Sequence, residues 1–290
     1  MLEFGSKCNM ALTEGIRDNL IMDTPDLMLP DRIQEDLRTE ILGRKVISYA
    51  QTGSTNDIAL ALAASGMKEG TLVVAENQTE GRGRRDRKWL SPMGTSILAS
   101  LILRPSIMAY EAHIITLIGA AAVAQAIRSV THLPAFIKWP NDVIVNGKKV
   151  SGVLTEMRTE ERWVNFLVVG IGVTVNIPRS YLPAEIMDSA TSLSAELGHD
   201  VSRIALLQEI LRQLEHRYMK VKERKIDALM DEWKELSATV GRRVRVSLAR
   251  RIIRGCAMDI DETGALLIRV DTGQVQRVTA DDAVQLRADQ

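Results

Sequence analysis

The sequence is short of the residues that build disulfide frameworks, metal sites and stacking platforms. Its 290 residues include two cysteines, Cys8 and Cys256, at opposite ends of the chain, and four histidines. This excludes a disulfide framework and leaves no plausible zinc site, so we expect no protein-held metal. Aromatic residues make up 4%, and 37 basic residues balance 37 acidic ones. No overall positive field therefore draws the chain to nucleic acid, and few rings are present to stack on bases.

Long apolar runs are also missing. No apolar stretch approaches the roughly 18 residues of a membrane span. The N-terminus lacks the basic start and apolar block of a signal peptide. We therefore expect no membrane partner and a cytoplasmic location, with both cysteines reduced.

The hydrophobic pattern divides the chain into three parts. Residues 1–42 are polar and weakly patterned, which indicates an N-terminal extension or linker. Residues 43–236 alternate between strand and helix patterns, including long helices over 109–130 and 203–221 and three strands over 136–177. Residues 237–290 contain short strands with turn residues between them, which predict a small β-barrel.

The basic loop, GRGRRDRKW at Gly81–Trp89, carries five cations in nine residues. Gly81 and Gly83 leave backbone N–H groups open to a ligand, and the arginines supply paired donors to phosphate or carboxylate. A solvated loop and an RNA contact are the alternatives. Several aromatic side chains would be expected for single-stranded nucleic acid, and only Trp89 is present.

A hairpin is predicted around Asn146-Gly147, the dipeptide typical of a two-residue type I′ turn. This turn would pair Ile144 with Lys149 and Asp142 with Ser151, and would place these four side chains on one face. Lys149 would then face Asp142. A solvent-exposed hairpin is the alternative, and Gly152 argues against it because it leaves space for a ligand.

Two further segments place small or polar residues within a strand or just after one. Gly170 and Gly172 clear one face of an apolar strand, unless they mark a bulge or tight packing against a helix. Ser54, Thr55 and Asn56 stand where a strand leads into a helix. They either cap that helix or recognise a polar, neutral ligand group.

Taken together, these segments resemble the biotin protein ligases in order and spacing. The matching segments are GSTN, ENQTEGRGRRDRKW, KWPNDV, GKKVSGVLTE, VVGIGVTVN and ATSL. The resemblance begins at about Leu42 and continues to the C-terminus. It implies an α+β fold, in which a mixed β-sheet flanked by helices, like that of class II aminoacyl-tRNA synthetases, precedes an SH3-like β-barrel.

The resemblance also implies a reaction. Biotin and ATP, supplied with Mg²⁺, would give biotinyl-5′-AMP and pyrophosphate, and a lysine of a biotin carboxyl carrier domain would then take the biotinyl group. The implied catalytic residues are Lys149, Arg84 and Asp142. The implied biotin-binding residues are Ser54, Thr55, Asn56, Gln78, Gly81, Arg82, Lys149 and Gly152. The implied nucleotide-binding residues are Arg84, Arg85, Arg87, Trp89, Asn141 and Asn176. The resemblance further implies a homodimer.

Two alternatives accompany this interpretation, and a separate expectation concerns DNA. A lipoate or octanoate ligase would share the fold and the acyl-adenylate logic. An RNA-binding protein would use the basic loop but would leave Lys149, the paired glycines and Ser54–Asn56 without a role. Relatives that repress transcription carry an N-terminal helix-turn-helix domain. Because only about 42 residues precede the matching region, we expect no such DNA binding here.

Overall fold

Two β-sheets organise the chain. The computed structural model describes residues 26–181 and 186–289. The strands of the first sheet are β1 Lys45–Thr52, β2 Thr71–Gln78, β3 Ser96–Leu103, β4 Ala135–Lys138, β5 Asp142–Val145, β6 Lys148–Glu160 and β7 Trp163–Thr174. Their order is β1-β2-β3-β7-β6-β5-β4, and β1 pairs with β2 in parallel while the other neighbours are antiparallel.

Helices cover both faces of this sheet. They are α1 Pro30–Gln34, α2 Thr55–Ala64, α3 His113–Thr131, α4 Leu193–Leu197, α5 Arg203–Lys222 and α6 Ile226–Glu235. The large apolar core includes α3 and α5, which pack against each other on one face. On the other face α2 packs over β2, β3 and β7, where Ala59, Ala63 and Val168 belong to a smaller apolar cluster.

The core helix α3 corrects one expectation. The segment Ala109–Thr131 is long and apolar enough to cross a membrane by length and composition, contrary to what the sequence pattern indicated. Most of it is buried inside the fold. Its hydrophobicity therefore follows from its central place between the sheet and α5.

The second sheet lies at the C-terminus. Its strands are β8 Arg243–Ser247, β9 Ile252–Ile260, β10 Leu266–Val270, β11 Val275–Val278 and β12 Gln285–Ala288, in the antiparallel order β11-β10-β9-β8-β12. A mixed sheet with flanking helices and a separate antiparallel sheet confirm the predicted fold class. The boundaries after residues 42 and 236 stay predictions. They fall between α1 and β1, and between α6 and β8.

The strand count over residues 136–177 was wrong. Four strands occupy this stretch rather than three, because a turn at Trp139–Pro140 separates β4 from β5. Proline has no N–H for a sheet ladder, so it favours such a break. The short helices α4 and α6 were not predicted either.

The hairpin between β5 and β6 was predicted correctly only near its turn. Val145 pairs with Lys148 and Ile144 with Lys149, as expected, but the register then shifts by one residue. Val150 is the extra residue of a β-bulge, so Asp142 pairs with Gly152 rather than with Ser151. Ser151 lies on the opposite face from Asp142, fully buried. The bulge leaves Lys149 on the same face as Asp142.

Candidate active site

A cavity of about 500 Å³ opens on the face of the first sheet that carries α2. Its walls come from the N-terminus of α2, the basic loop and the strands β3, β5, β6 and β7. Residues 283–287, which lead into β12 of the second sheet, close one side. The site therefore combines residues that lie far apart along the chain.

The strand register lays out the cavity floor as a row across the sheet. Lys138 on β4 pairs with Asp142, Asp142 with Gly152, Gly152 with Gly172 and Gly172 with Leu98 on β3. Directly paired residues project from the same face of a sheet. The row thus runs from a cation at the edge strand, across two glycines, to an apolar residue near α2.

The glycines leave room for two specific side chains. A Cβ atom on Gly172 would lie 2.7 Å from Cε2 of Trp89, and one on Gly170 would lie 2.2 Å from Oδ1 of Asn56. Gly170 therefore packs against the first turn of α2, which is the helix-packing alternative. Gly172 instead lets the Trp89 ring pack directly on β7. The resemblance to the biotin protein ligases implies that this ring contacts the nucleotide.

Polar groups cluster at the α2 end of the cavity. The Thr55 backbone N–H and hydroxyl both donate to Oε1 of Gln78, at 2.7 and 2.9 Å. Ser54 is 4% exposed and makes no side-chain cap to α2. Within the described residues, neither its hydroxyl nor Nε2 of Gln78 has a hydrogen-bond partner. A neutral ligand group with a carbonyl oxygen could accept from both.

Asn56 is already occupied by the protein. Its Nδ2 donates to Glu156 at 2.6 Å and its Oδ1 accepts from the Ser100 hydroxyl at 2.5 Å. The side chain of Arg82 turns to the same carboxylate and to Asp57, which it contacts at 2.5 Å. Its hydrogen bond lowers the pKa of Asp57. These contacts fasten the start of the basic loop to α2 and β6.

Lys149 is the central cation of the site. Its Nζ lies 2.5 Å from Oδ1 of Asp142 and 5.7 Å from the centre of the Trp89 ring. It is also the atom closest to the empty side-chain position of Gly152, at 3.2 Å. Backbone hydrogen bonds with Ser189 and Thr191 hold the Lys149 main chain on its other edge.

The basic loop folds back on itself and reaches the second sheet. Trp89 N–H donates to the Gly81 carbonyl at 2.8 Å, and Gly83 N–H donates to that of Arg87 at 2.6 Å. Three arginines of the loop then donate to carbonyl groups of the C-terminal segment. The pairs are Arg84 with Ala280, Arg85 with Asp281, and Arg87 with Val284.

Arg84 enters the cavity as a partly buried cation. Its Nη1 lies 3.4 Å from Oδ1 of Asn141. The pKa of Arg84 is lowered, because burial outweighs the opposite effect of the Asp281 and Asp142 carboxylates. An arginine stays protonated under such a shift. Arg84 therefore offers a fixed positive charge that is bound mainly by neutral groups, as an anion-binding group would be.

The structure brings most of the sequence-predicted residues together. Those that line the cavity are Ser54, Thr55, Asn56, Gln78, Arg82, Arg84, Arg87, Trp89, Asn141, Asp142, Lys149 and Gly152. Gly81, Arg85 and Asn176 are not among the lining residues. The Asn176 amide instead bridges the backbone of Val201, accepting and donating at 2.9 Å. In this arrangement Asn176 joins the end of β7 to the start of α5.

Sequence reasoning missed four charged residues of the cavity: Lys88, Lys138, Asp188 and Arg287. Lys138 opens the KWPND segment, so its position beside Asn141 and Asp142 was an available signal. Arg287 arrives only through packing of the second sheet, which no local pattern reveals. In all, the lining includes seven Lys or Arg residues and two Asp residues. The cavity is therefore suited to a highly charged anion.

Comparisons with known proteins agree with this geometry. The biotin/lipoate A/B protein ligase family matches residues 47–175, and the biotin protein ligase C-terminal domain matches residues 239–282. The fold and the cavity thus define a ligase with two structural parts.

Individual relatives identify the family. The bifunctional ligase/repressor BirA of Bacillus subtilis is 36% identical over 261 residues, which cover 90% of this chain and 80% of that protein. A biotin–[acetyl-CoA-carboxylase] ligase of Mycobacterium tuberculosis is 34% identical, covering 92% of this chain and all of the relative. A structure of the Aquifex aeolicus biotin protein ligase with biotin and ATP superimposes with a TM-score of 0.73 at 30% identity, covering 85% of this chain and 100% of the other. The chain belongs to the biotin protein ligase family, as the sequence motifs indicated.

Proposed function

We propose that this chain activates biotin with ATP as biotinyl-5′-AMP and transfers the biotinyl group to a lysine of a biotin carboxyl carrier domain. The observation that carries the proposal is the position of Lys149. Its ammonium group lies between the polar end at Ser54 and Gln78 and the cationic end at Lys138. An acid bound at the polar end and a triphosphate at the cationic end would meet at this lysine.

The proposed first step joins two anions. A carboxylate oxygen of biotin attacks the α-phosphorus of ATP, and the bond to the bridging oxygen of the β-phosphate breaks. Pyrophosphate leaves with that oxygen and the bonding electrons. Fixed cations that are already in place offset the repulsion and the charge that develops in the transition state. Lys149 and Arg84 are placed to do this, with Asp142 holding the Lys149 side chain.

The second step is attack by the carrier lysine amine on the acyl carbon, with AMP as the leaving group. Support for a carrier domain comes from the relatives named as acetyl-CoA-carboxylase ligases. We propose that Mg²⁺ enters with ATP. Within the described residues no cluster of three or more His, Cys, Asp or Glu side chains could hold a metal. Phosphates and water would supply most of its ligands.

The test is ATP–pyrophosphate exchange with biotin, lipoate and octanoate offered separately. We expect exchange with biotin alone, and a loss of about 10²–10³-fold in Lys149→Ala, the usual effect of removing one group that stabilises a transition state. Lys148→Ala is the matched control, because that neighbouring lysine does not line the cavity. It should keep activity within about twofold.

Other outcomes separate the alternatives. Exchange with lipoate or octanoate would retain the adenylation chemistry and overturn the substrate. No exchange with any acid would contradict the proposal, and equal losses in Lys148→Ala and Lys149→Ala would remove the special role of Lys149.

We also propose that the basic loop closes further over the bound adenylate and excludes water. Its several lysines and arginines make it a target for trypsin. Biotin plus ATP should slow cleavage within residues 82–88, and cleavage at the same rate with and without ligands would contradict closure. A homodimer and a cytoplasmic location stay predictions, which sedimentation of the purified chain and fractionation of its cells would test.

A further inference from the structure

Lys138 marks the cationic end of the cavity, but the chemistry described above gives its ammonium group no contact or role. It ends the edge strand β4, pairs with Asp142 across the sheet and is half-buried. Asp142 gives its close ion pair to Lys149 instead. Within the described residues, the Lys138 ammonium group makes no hydrogen bond or salt bridge.

The surroundings of Lys138 are costly for a cation. Burial lowers the pKa of Lys138, and the nearby charges of Lys149, Arg287 and Arg87 act in the same direction, against Asp142. A half-buried ammonium group without a partner loses part of its hydration without compensation. Such a group is stabilised when an anion occupies the adjacent space.

The position of Lys138 indicates which anion this is. Lys149 projects from β6, whereas Lys138 lies two strands further along the sheet, on the side away from Ser54 and Gln78. Arg87 and Arg287 line the same cavity and lie close enough to influence the charge of Lys138. The cationic end therefore extends beyond the point where carboxylate and α-phosphate would meet.

We propose that Lys138 binds the β- and γ-phosphates of ATP and stabilises the departing pyrophosphate. This inference rests on the proposed adenylation. When the bond between the α-phosphorus and the bridging oxygen breaks, the leaving pyrophosphate gains one negative charge. A fixed ammonium group at that end offsets the gain, and the anion in turn supplies the partner that Lys138 lacks.

The experiment compares two nucleotides that differ in these phosphates. Binding of AMP, and of an ATP analogue with a methylene group between the α- and β-phosphorus, is measured by calorimetry with biotin present. The proteins are the wild type, Lys138→Met, Lys138→Arg and the control Lys148→Met. We expect the Kd for the analogue to rise at least tenfold in Lys138→Met, while the Kd for AMP changes less than twofold. Lys138→Arg should recover most of the loss, and Lys148→Met should match the wild type.

A general packing defect would give a different pattern. Equal losses for AMP and the analogue, or an unchanged Kd for the analogue, would overturn the assignment. If the wild type binds the analogue and exchanges pyrophosphate with biotin while Lys138→Met binds normally, this inference alone fails. If the wild type shows no biotin-dependent exchange, the proposed function fails, and the Lys138 comparison still decides whether the cavity binds a polyphosphate through this residue.

Discussion

Replacing Gly172 by alanine should damage ligand binding more than folding. The added Cβ would lie 2.7 and 2.8 Å from Cε2 and Cζ2 of Trp89. Carbon atoms in contact prefer about 3.5–4.0 Å, so the indole ring must move by about 1 Å. Trp89 belongs to the basic loop, and the loop can shift without disturbing the sheet. We therefore expect the free energy of unfolding to fall by about 1 kcal/mol, the low end of the usual cost of adding a methyl group to a packed site.

The expected loss of nucleotide binding follows from the contact proposed between the Trp89 ring and the adenine base. Contact between an aromatic side chain and a base is worth about 1–3 kcal/mol. Displacing the Trp89 ring should therefore raise the Kd for nucleotide by about 5–150-fold, since about 1.4 kcal/mol is a factor of ten. Calorimetric titration with AMP measures this change, and urea denaturation measures the stability.

Gly170→Ala is the matched comparison on the same strand and face. Its Cβ would lie 2.2 Å from Oδ1 of Asn56, an atom of the α2 helix that accepts a hydrogen bond from Ser100. The helix cannot swing away, so we expect a stability loss of about 1–3 kcal/mol from the broken hydrogen bonds. An unchanged Kd for AMP in Gly172→Ala, or a loss of stability as large as that of Gly170→Ala, would contradict this role of Trp89.

Two further predictions concern buried charges away from the cavity. Arg203 is 2% exposed and contacts Glu76 at 2.6 Å. Arg203→Met should lower the free energy of unfolding, measured by urea denaturation, by about 3–5 kcal/mol, because the Glu76 carboxylate would be left buried without its cation. Adding Glu76→Gln should recover at least about 1 kcal/mol, and strictly additive losses would argue against coupling. Burial alone would raise the pKa of Glu69, but hydrogen bonds from Lys222 and Tyr218 outweigh it, and the pKa is lowered. Its stabilisation is therefore present above the unfolded pKa and lost as the pH falls through the folded one. Glu69→Gln should destabilise at pH 7 by about 1–3 kcal/mol, and this difference should shrink below about pH 4; a constant difference would contradict the assignment.

The part of the site predicted from sequence depended on local rules. The two-residue turn at Asn146-Gly147 was sufficient to place Lys149 on the face of Asp142. Helix capping was the default explanation for Ser54, and it fails because the hydroxyl makes no cap hydrogen bond to α2. The local sequence pattern therefore located Lys149 and Ser54, whereas their contacts in the folded chain were needed to separate a ligand-binding role from a structural one.

Some site residues could not be predicted from the sequence, because strand register or packing between the two sheets brings them to the cavity. Lys138 became informative only when its pairing with Asp142 and its missing partner were known. Arg287 lies far along the chain and reaches the cavity because the second sheet packs there. Asn176 belongs to a recognised motif, yet its amide is used by Val201 at the start of α5. A motif identifies a residue without showing whether its polar atoms are free.

The β-bulge at Val150 has an evolutionary consequence. Lys149 and Gly152 are three positions apart, a spacing that would put them on opposite faces of a regular strand. One inserted residue reverses this alternation and lets both residues face the same cavity. Losing or gaining a single codon between them would turn the lysine or the glycine into the core. Val150 and Ser151 are themselves buried, so packing limits substitutions there. A change of length would in addition turn one of the two cavity-facing residues away, so the interval between Lys149 and Gly152 should be constant in length.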